Sequence, residues 1–402
     1  MHPQAILNDA AVKRPAPVRE INDARSRMIG PSVCAAAWRM ALLLVAASSC
    51  SVAAALPVSD SAASSENWIG SLGGRCIRNE AGAIVSVDLR HAWLTDSDLK
   101  RIANLSELET IDLAYTKVTD EGLEQLKPLA NVRVLNLHYA EYVTDAGIAH
   151  LKRWEHLEHL NVRGTKVTSS LFEHIASMAS LKSLDVGFSR VNDDNFERLA
   201  ELPNLEQFSF GGNKMSGSAL PLLKLLPKLR YLSVGGQQRT DSGLWSVNVT
   251  DFNLGSIAQL SGLTTLELSG TAITDRGVAQ LVGLKGLESL DLSRTKVTAK
   301  GVAALSPIRS LRQLKLVRSA GIDDAALLAC QKLEHLEVLE LQETEITVEG
   351  LLRFTPPQSL KKLFIGGIAL TPDQLAEVKK HLPYCYISWW PKTEIAAPEG
   401  RQ

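Results

Sequence analysis

Residues 108–129 read LETIDLAYTKVTDEGLEQLKPL, and the chain of 402 residues repeats this pattern along most of its length. Successive copies begin about 24 residues apart, and the interval from Leu229 to Leu263 is longer by about ten residues. A nearly fixed period in this range is typical of a solenoid, in which each copy is one structural unit stacked on the next. The copies begin at Ile84 (a degenerate copy), Leu108, Val132, Leu157, Leu181, Leu205, Leu229, Leu263, Leu287, Leu311, Leu336 and Leu360.

Each copy predicts one short β-strand. Aliphatic residues two positions apart, such as Ile111 and Leu113, point to the same face of a strand. Strands of successive copies are expected to pair about 4.8 Å apart in a parallel sheet, with Leu113, Leu137 and Leu292 in the core. A threonine follows the strand in five copies, and its hydroxyl is expected to bind backbone groups of the turn. These residues are Thr116, Thr165, Thr271, Thr295 and Thr344.

The second half of each copy predicts a short helix. Thr119-Asp120, Thr144-Asp145 and Thr274-Asp275 stand where the helix should begin. Threonine at the N-cap accepts a backbone N–H, and the aspartate is expected to face the positive end of the helix. Leucines every third residue, at 123, 126 and 129, then turn one side of the helix inward. The sequence therefore predicts an α/β fold with one strand and one helix in each copy.

The repeat resembles that of leucine-rich repeat proteins, over roughly residues 84–382. It is most similar to their cysteine-containing class, with Thr in place of Cys, as in exported bacterial members. The resemblance implies a right-handed horseshoe with parallel strands on the concave face and short helices on the convex face. It also implies binding of a partner on the concave face. The same class includes the substrate-recognition part of F-box proteins, so a substrate adaptor of a ubiquitin ligase stays an alternative.

Residues 1–55 are predicted to be an export leader. Basic side chains precede an apolar run at residues 40–47, and three alanines end the segment at Ala55. This order is typical of a secretory signal, and a start at Met28 would give it an ordinary length. Three alternatives stay open: a lipoprotein modified at Cys50, an anchor retained at residues 40–56, and a cytoplasmic protein. The predicted location is therefore secreted, periplasmic or attached to the cell envelope.

The rest of the chain is predicted to divide into four segments. Residues 56–66, rich in Ser and Ala, are interpreted as a flexible linker. Residues 67–83 are predicted to form an N-terminal cap, and residues 84–382 a domain of about twelve repeats. Residues 383–402 are predicted to be a C-terminal cap and tail, because Pro383 is followed by an aromatic stretch.

The composition excludes several classes of function. Lys and Arg number 43 against 44 for Asp and Glu, so the formal charge of −1 gives no overall basic field for nucleic acid. The five cysteines include no CxxC pair and no pattern of a disulfide framework. We therefore expect free thiols, no metal site, no cofactor and a monomeric chain.

Candidate binding residues come from the strand positions expected to be exposed on the concave face. Polar groups in successive copies lie beside Tyr, His and Arg, which are favoured at protein interfaces. A solvated sheet face without a binding role is the alternative interpretation. The candidates are Asp88, Arg90, His91, Asp112, Tyr115, Asn136, His138, Tyr139, Asn161, Arg163, Asp185 and Phe188.

Two further features lie along the same rows. The glycines at 211, 212, 235, 236 and 270 predict either a shallow cleft or a tight turn that requires small residues. Farther on, Arg318 and its basic neighbours precede Glu340 and Glu343, and these charges are expected to neutralise each other.

The longer interval between Leu229 and Leu263 requires an insertion near residues 237–247. We expect a loop that leaves the edge of the sheet, and insertions in repeat proteins are often functional. Arg239 and Trp245 are its candidate binding residues, although Trp245 could instead fold back over the solenoid.

The sequence contains no G-x-S-x-G, H-E-x-x-H, P-loop or kinase motif. Asp88 and Asp112, on adjacent predicted strands, would raise each other's pKa, which leaves a hydrolase with an unrecognised acidic site as an alternative. The sequence favours a non-enzymatic, exported protein that binds another protein through its concave face and the 237–247 loop.

Overall fold

The computed structural model describes residues 60–391. The predicted leader, the lipidation position Cys50 and residues 392–402 of the predicted tail lie outside this range. Within it, fourteen strands form one sheet and two form a separate hairpin. The strands are β1 Arg75–Arg78, β2 Ile84–Asp88, β3 Thr110–Asp112, β4 Val134–Asn136, β5 His159–Asn161, β6 Ser183–Asp185, β7 Gln207–Ser209, β8 Tyr231–Ser233, β9 Gln237–Thr240, β10 Gly243–Ser246, β11 Thr265–Glu267, β12 Ser289–Asp291, β13 Gln313–Lys315, β14 Val338–Glu340, β15 Lys362–Phe364 and β16 Tyr386–Ser388.

The large sheet follows the order of the chain. Neighbouring strands are parallel, except that β1 pairs antiparallel with β2. The register places the same repeat position side by side, so that Ile111 lies opposite Leu135, and Leu290 opposite Leu314. Leu113, Leu137 and Leu292 are fully buried, as predicted. The sheet alternates with short helices, which confirms the predicted α/β solenoid.

The helices are short, except for those at Asp60–Ser71 and Pro372–His381. The segments Phe196–Glu201, Leu220–Leu225, Ala279–Gly283 and Cys330–Lys332 are 3₁₀-helices. The α-helices are α1 Asp60–Ser71, α2 Asp96–Ile102, α3 Asp120–Gln125, α4 Asp145–Ala149, α5 Leu171–Ile175, α6 Leu254–Ala258, α7 Asp275–Val278, α8 Ala299–Ala304, α9 Asp324–Ala329, α10 Val348–Arg353 and α11 Pro372–His381.

The threonines perform the two predicted roles. The Thr116 hydroxyl donates to the carbonyl of Leu113 at 2.6 Å, and the other four threonines of that row make the same bond. Thr119, Thr144 and Thr274 cap their helices, each accepting a backbone N–H two residues ahead. These bonds confirm both predictions. They could be predicted because they are local and recur from copy to copy.

The aspartate after the capping threonine also joins one copy to the next. Asp120 accepts the backbone N–H of Thr144 at 2.8 Å and the hydroxyl of Thr144 at 2.6 Å. A Cβ at Gly147 would overlap the Asp120 carboxylate, so the Thr-Asp-x-Gly pattern requires its glycine. The same contact joins Asp96 to Thr119, Asp145 to Thr168, Asp251 to Thr274, Asp275 to Thr298 and Asp324 to Thr347.

The predicted linker is partly wrong, because residues 60–66 belong to helix α1. Alanine favours the helix, and the helix is held by its packing on the first strands. Ile69 is fully buried, Arg78 pairs with Glu66 at 2.6 Å, and the Arg101 guanidinium lies over the Trp68 ring. Helix α1 and strand β1 together cover the first repeat.

The insertion is a β-hairpin rather than an irregular loop. Strands β9 and β10 pair antiparallel, with Trp245 opposite Gln238. Two glutamines anchor the hairpin to the solenoid: Gln237 donates to the carbonyl of Gly270 at 2.7 Å, and Gln238 to that of Ser189 at 3.4 Å. The sequence Thr240-Asp-Ser-Gly243 at its tip suits a tight turn.

Candidate binding surface

From β2 to β15 of the large sheet, the third residue after each strand adopts a left-handed backbone conformation. These residues form a row along the sheet edge. In the first repeats the row holds large side chains: φ is 60° at His91, 58° at Tyr115, 52° at Tyr139 and 53° at Phe188. L-residues seldom adopt positive φ, so these positions carry backbone strain that the repeat geometry imposes. Glycine occupies the same position at 164, 212 and 270.

The aromatic side chains of this row stack on one another. The His91 and Tyr115 ring centroids are 4.6 Å apart, and those of Tyr115 and Tyr139 are 5.6 Å apart, both nearly parallel. His138 meets both tyrosines edge-on and lies 3.1 Å from the Tyr115 hydroxyl. Tyr115 is still 48% exposed. We call His91, Tyr115, His138, Tyr139, Arg163 and Phe188 the aromatic row.

Arg163 and Phe188 extend the row toward the hairpin. The Arg163 guanidinium lies 4.4 Å from the centre of the Phe188 ring and 3.4 Å from Asp185. Cation–π stacking together with a carboxylate contact fixes the side chain in one orientation. The arginine is half-buried, which leaves part of its planar group open to a partner.

The glycines of the middle repeats admit these rings and do not form an open cleft. The Tyr139 ring lies over Gly164, and the Phe188 ring lies over Gly212 and beside Gly236. Gly211 and Gly212 are buried, and a Cβ at Gly211 would overlap the backbone carbonyl of Gly235. Of the two interpretations of the glycine pattern, the structure favours close packing that requires small residues.

Burial determines the ionisation of His138 and Tyr115 in the aromatic row. Desolvation lowers the pKa of His138 to about 4, so its imidazole is neutral at neutral pH. Burial also raises the pKa of the Tyr115 phenol, which therefore keeps its proton. His138 and Tyr115 thus present neutral hydrogen-bonding groups with apolar ring surface, and the Arg163 guanidinium lies beside them.

Several polar candidates are not exposed, contrary to the prediction. Asp112, Asn161 and Asp185 are 2%, 6% and 3% exposed. Each side chain accepts the backbone N–H two residues ahead, and Asp88 and Asn136 do the same. Neighbouring strands cover these side chains, and their hydrogen bonds stabilise the turn after the strand.

Asp88 and Asp112 do not raise each other's pKa in the predicted way. The pKa of Asp112 is raised mainly by burial, and the charge of Asp88 raises it less. Burial also acts to raise the pKa of Asp88, but hydrogen bonds and the charge of Arg90 outweigh it and lower that pKa. Arg90 bridges the two carboxylates, contacting Asp88 at 2.5 Å and Asp112 at 3.4 Å.

The hairpin lies directly beyond Phe188 and places three side chains at the surface. Arg239 is exposed, and Leu244 is 59% exposed. Trp245 is half-buried and donates through Nε1 to the Ser242 hydroxyl at 3.0 Å. Farther along the solenoid, Arg318 makes two bonds to Glu343 at 2.6 and 2.7 Å, which confirms the predicted neutralisation there.

Residues 60–391 contain three cysteines, and none of them lies in a metal site or a disulfide. In that range no three His, Cys, Asp or Glu side chains lie close enough together to hold a metal ion. Cys76, Cys330 and Cys385 are free thiols, as predicted. Among the described helices, none is long and apolar enough to cross a bilayer.

Comparison with known proteins supports the assignment of the fold. A family model described as a leucine-rich repeat matches residues 105–127, 261–282 and 287–306. The crystal structure of an internalin, InlF of Listeria monocytogenes, superposes with a TM-score of 0.52 at 19% identity, over 77% of this chain and 87% of that one. The chain has the leucine-rich repeat fold.

Two further solved structures superpose with lower TM-scores. Internalin C2 of Listeria monocytogenes is 20% identical over 54% of this chain and 83% of that one, with a TM-score of 0.38. A leucine-rich repeat protein of Leptospira interrogans is 18% identical over 72% of this chain and 86% of that one, with a TM-score of 0.41. The search of curated proteins found no significant match.

A second row of this leucine-rich repeat surface, which was not predicted from the sequence, lies two or three residues after the aromatic row. It holds Trp93, Lys117, Tyr142, Lys166, Arg190 and Lys214, all of them exposed. The signal was available, because each residue stands directly before a buried apolar residue at the same position of its repeat. We call this row the basic edge.

Proposed function

We propose that this leucine-rich repeat domain is a non-enzymatic module that binds a protein partner through the aromatic row and the adjoining hairpin. The observation that carries the proposal is the stack of His91, Tyr115 and Tyr139, which leaves Tyr115 half-exposed although its ring is held on both faces. Rigid aromatic side chains bind with little loss of conformational entropy and are frequent anchors of interfaces. Proteins with this fold commonly bind other proteins.

A hydrolase has less support than a binding module. Asp88 is paired with Arg90, and Asp112 accepts the backbone N–H of Ala114 while it lies 2% exposed. A general acid or base must reach the substrate, and both carboxylates are already occupied by partners within the fold.

The binding role can be tested by partner capture from an extract of the source cells. We expect Tyr115→Ala to weaken capture of the specific partner by at least about tenfold, because an interface anchor is lost. Capture is quantified by titration of the immobilised full chain. Phe252→Ala is the matched control, since Phe252 is 96% exposed but lies outside the row. Equal capture by the Tyr115→Ala variant and the native chain would contradict the proposal.

We also propose that the protein is exported, on the strength of the basic, apolar and alanine-rich order of residues 1–55. The mature protein is then expected to begin at Leu56, or at a lipidated Cys50. Mass spectrometry of the isolated protein measures this directly. An intact N-terminus at Met1 in a soluble cytoplasmic fraction would instead favour the adaptor alternative.

A further inference from the structure

The basic edge contains cations without acidic partners. Lys117, Lys166, Arg190 and Lys214 form no ion pair within residues 60–391. Two of them contact aromatic rings of the preceding repeat instead. The Lys117 ammonium lies 5.5 Å from the centre of the Trp93 ring, and the Lys166 ammonium lies 5.3 Å from that of Tyr142. Such contacts hold a cation at the surface without neutralising it.

The opposite edge of the same sheet shows the contrast. There, the second position alternates in sign in most copies, and Arg133, Lys182, Arg312 and Lys361 are neutralised. Glu158 pairs with both Arg133 at 2.7 Å and Lys182 at 2.6 Å, and Glu337 pairs with Arg312 and Lys361 in the same way. We call Arg133, Glu158, Lys182, Arg312, Glu337 and Lys361 the paired edge.

The basic edge is confined to the repeats that carry the aromatic row. Beyond the hairpin its positions hold Ala272, Lys296, Gly321, Glu345 and Ala369, a mixture without excess positive charge. In the first repeats, by contrast, Trp93 follows His91, Lys117 follows Tyr115 and Arg190 follows Phe188, each by two residues. Unpaired cations and exposed rings therefore run side by side up to the hairpin.

We infer that the basic edge binds an acidic, extended peptide segment of the protein partner. The inference rests on the proposed function and names the chemistry of the partner. Carboxylates of the segment pair with Lys166, Arg190 and Lys214, and its apolar side chains lie against the aromatic row. Cations that have no intramolecular ion pair lose none when they bind a carboxylate, so their charge contributes to affinity and to the rate of association.

The nearby carboxylates favour a peptide over a uniformly charged polymer. Asp96, Asp120, Asp145 and Asp193 lie a few residues beyond the basic edge and bond to the following repeat, and Glu141 precedes Tyr142. Nucleic acid or a sulfated glycan carries negative charge at every unit and would place some of it against these groups. A peptide can place acidic residues on the cations and apolar residues elsewhere.

The test uses the full chain and a fluorescent synthetic peptide that mixes Glu with Leu and Phe. Fluorescence anisotropy is expected to detect binding that weakens as NaCl rises from about 0.05 to about 0.5 M, because exposed charges are screened. Substitution of Lys166, Arg190 and Lys214 by glutamine together is expected to weaken binding about tenfold. A peptide with Gln in place of Glu is expected to bind the native chain no more tightly than the Glu peptide binds the triple variant.

A matched triple variant separates local pairing from net charge. Substitution of Lys182, Arg312 and Lys361 by glutamine removes the same charge from the paired edge and is expected to change affinity less than about twofold. Equal loss in both triple variants would overturn the inference. So would tighter binding of heparin or single-stranded DNA, or equal binding of the Glu and Gln peptides. These results leave the proposed function standing as long as Tyr115→Ala still weakens partner capture.

Discussion

Replacement of Leu290 by alanine is expected to lower the free energy of unfolding by about 2–5 kcal/mol. Leu290 is fully buried at the centre of β12, between Leu266 of β11 and Leu314 of β13. Backbone hydrogen bonds hold these strands at a fixed spacing, so the cavity left by the side chain cannot close. In a solenoid the loss also weakens the contact of one repeat with both of its neighbours. Urea unfolding followed by circular dichroism measures the change.

The same substitution at an exposed leucine provides the control. Leu244 on the hairpin is 59% exposed, and Leu244→Ala is expected to change stability by less than about 0.5 kcal/mol. Comparable losses at both positions would mean that the inside and outside of the solenoid have been assigned wrongly.

The sequence predicted features that depend on one copy of the repeat. Leu113 and Leu137 are in the core, and the Thr116 hydroxyl bonds within its turn. Each of these follows from alternation along a strand or from a contact within one turn. Successive copies present the same evidence again, so the single degenerate copy at Ile84 did not obscure it.

Features that depend on two adjacent copies could not be predicted in the same way. Asp112 and Asp185 point away from the core, as expected, but the neighbouring strands bury them and their own turns bind them. Asp120 was expected to stabilise its own helix, yet it also bonds to Thr144 in the next copy. The stacking of Tyr115 on Tyr139 depends on a left-handed backbone that the residue type does not indicate.

Replacement of Asp193 by alanine is expected to lower the free energy of unfolding by about 3 kcal/mol, because three backbone N–H groups lose their acceptor. Its carboxylate accepts from Ser216 at 2.6 Å, Gly217 at 3.1 Å and Ala219 at 3.0 Å. These bonds join two repeats at the point where 3₁₀-helices replace α-helices. Urea unfolding at neutral pH measures the loss. Asp194→Ala is the control, since the neighbouring Asp194 is exposed.

The pH dependence of folding stability separates the contribution of the Asp193 charge from the contribution of its shape. Burial acts to raise the pKa of Asp193, but hydrogen bonds from Ala219 and Ser216 outweigh it, so the folded pKa is lower than that of an unfolded aspartate. A depressed folded pKa stabilises the protein above the unfolded value of about 4, and this stabilisation is lost as the pH falls through the folded pKa. The difference in stability between the native chain and Asp193→Asn is therefore expected to be constant from neutral pH down to about pH 5 and to shrink below about pH 4. A difference that stayed the same at low pH would show that the amide replaces the carboxylate only imperfectly in shape, and that the negative charge contributes nothing to the junction between the two repeats.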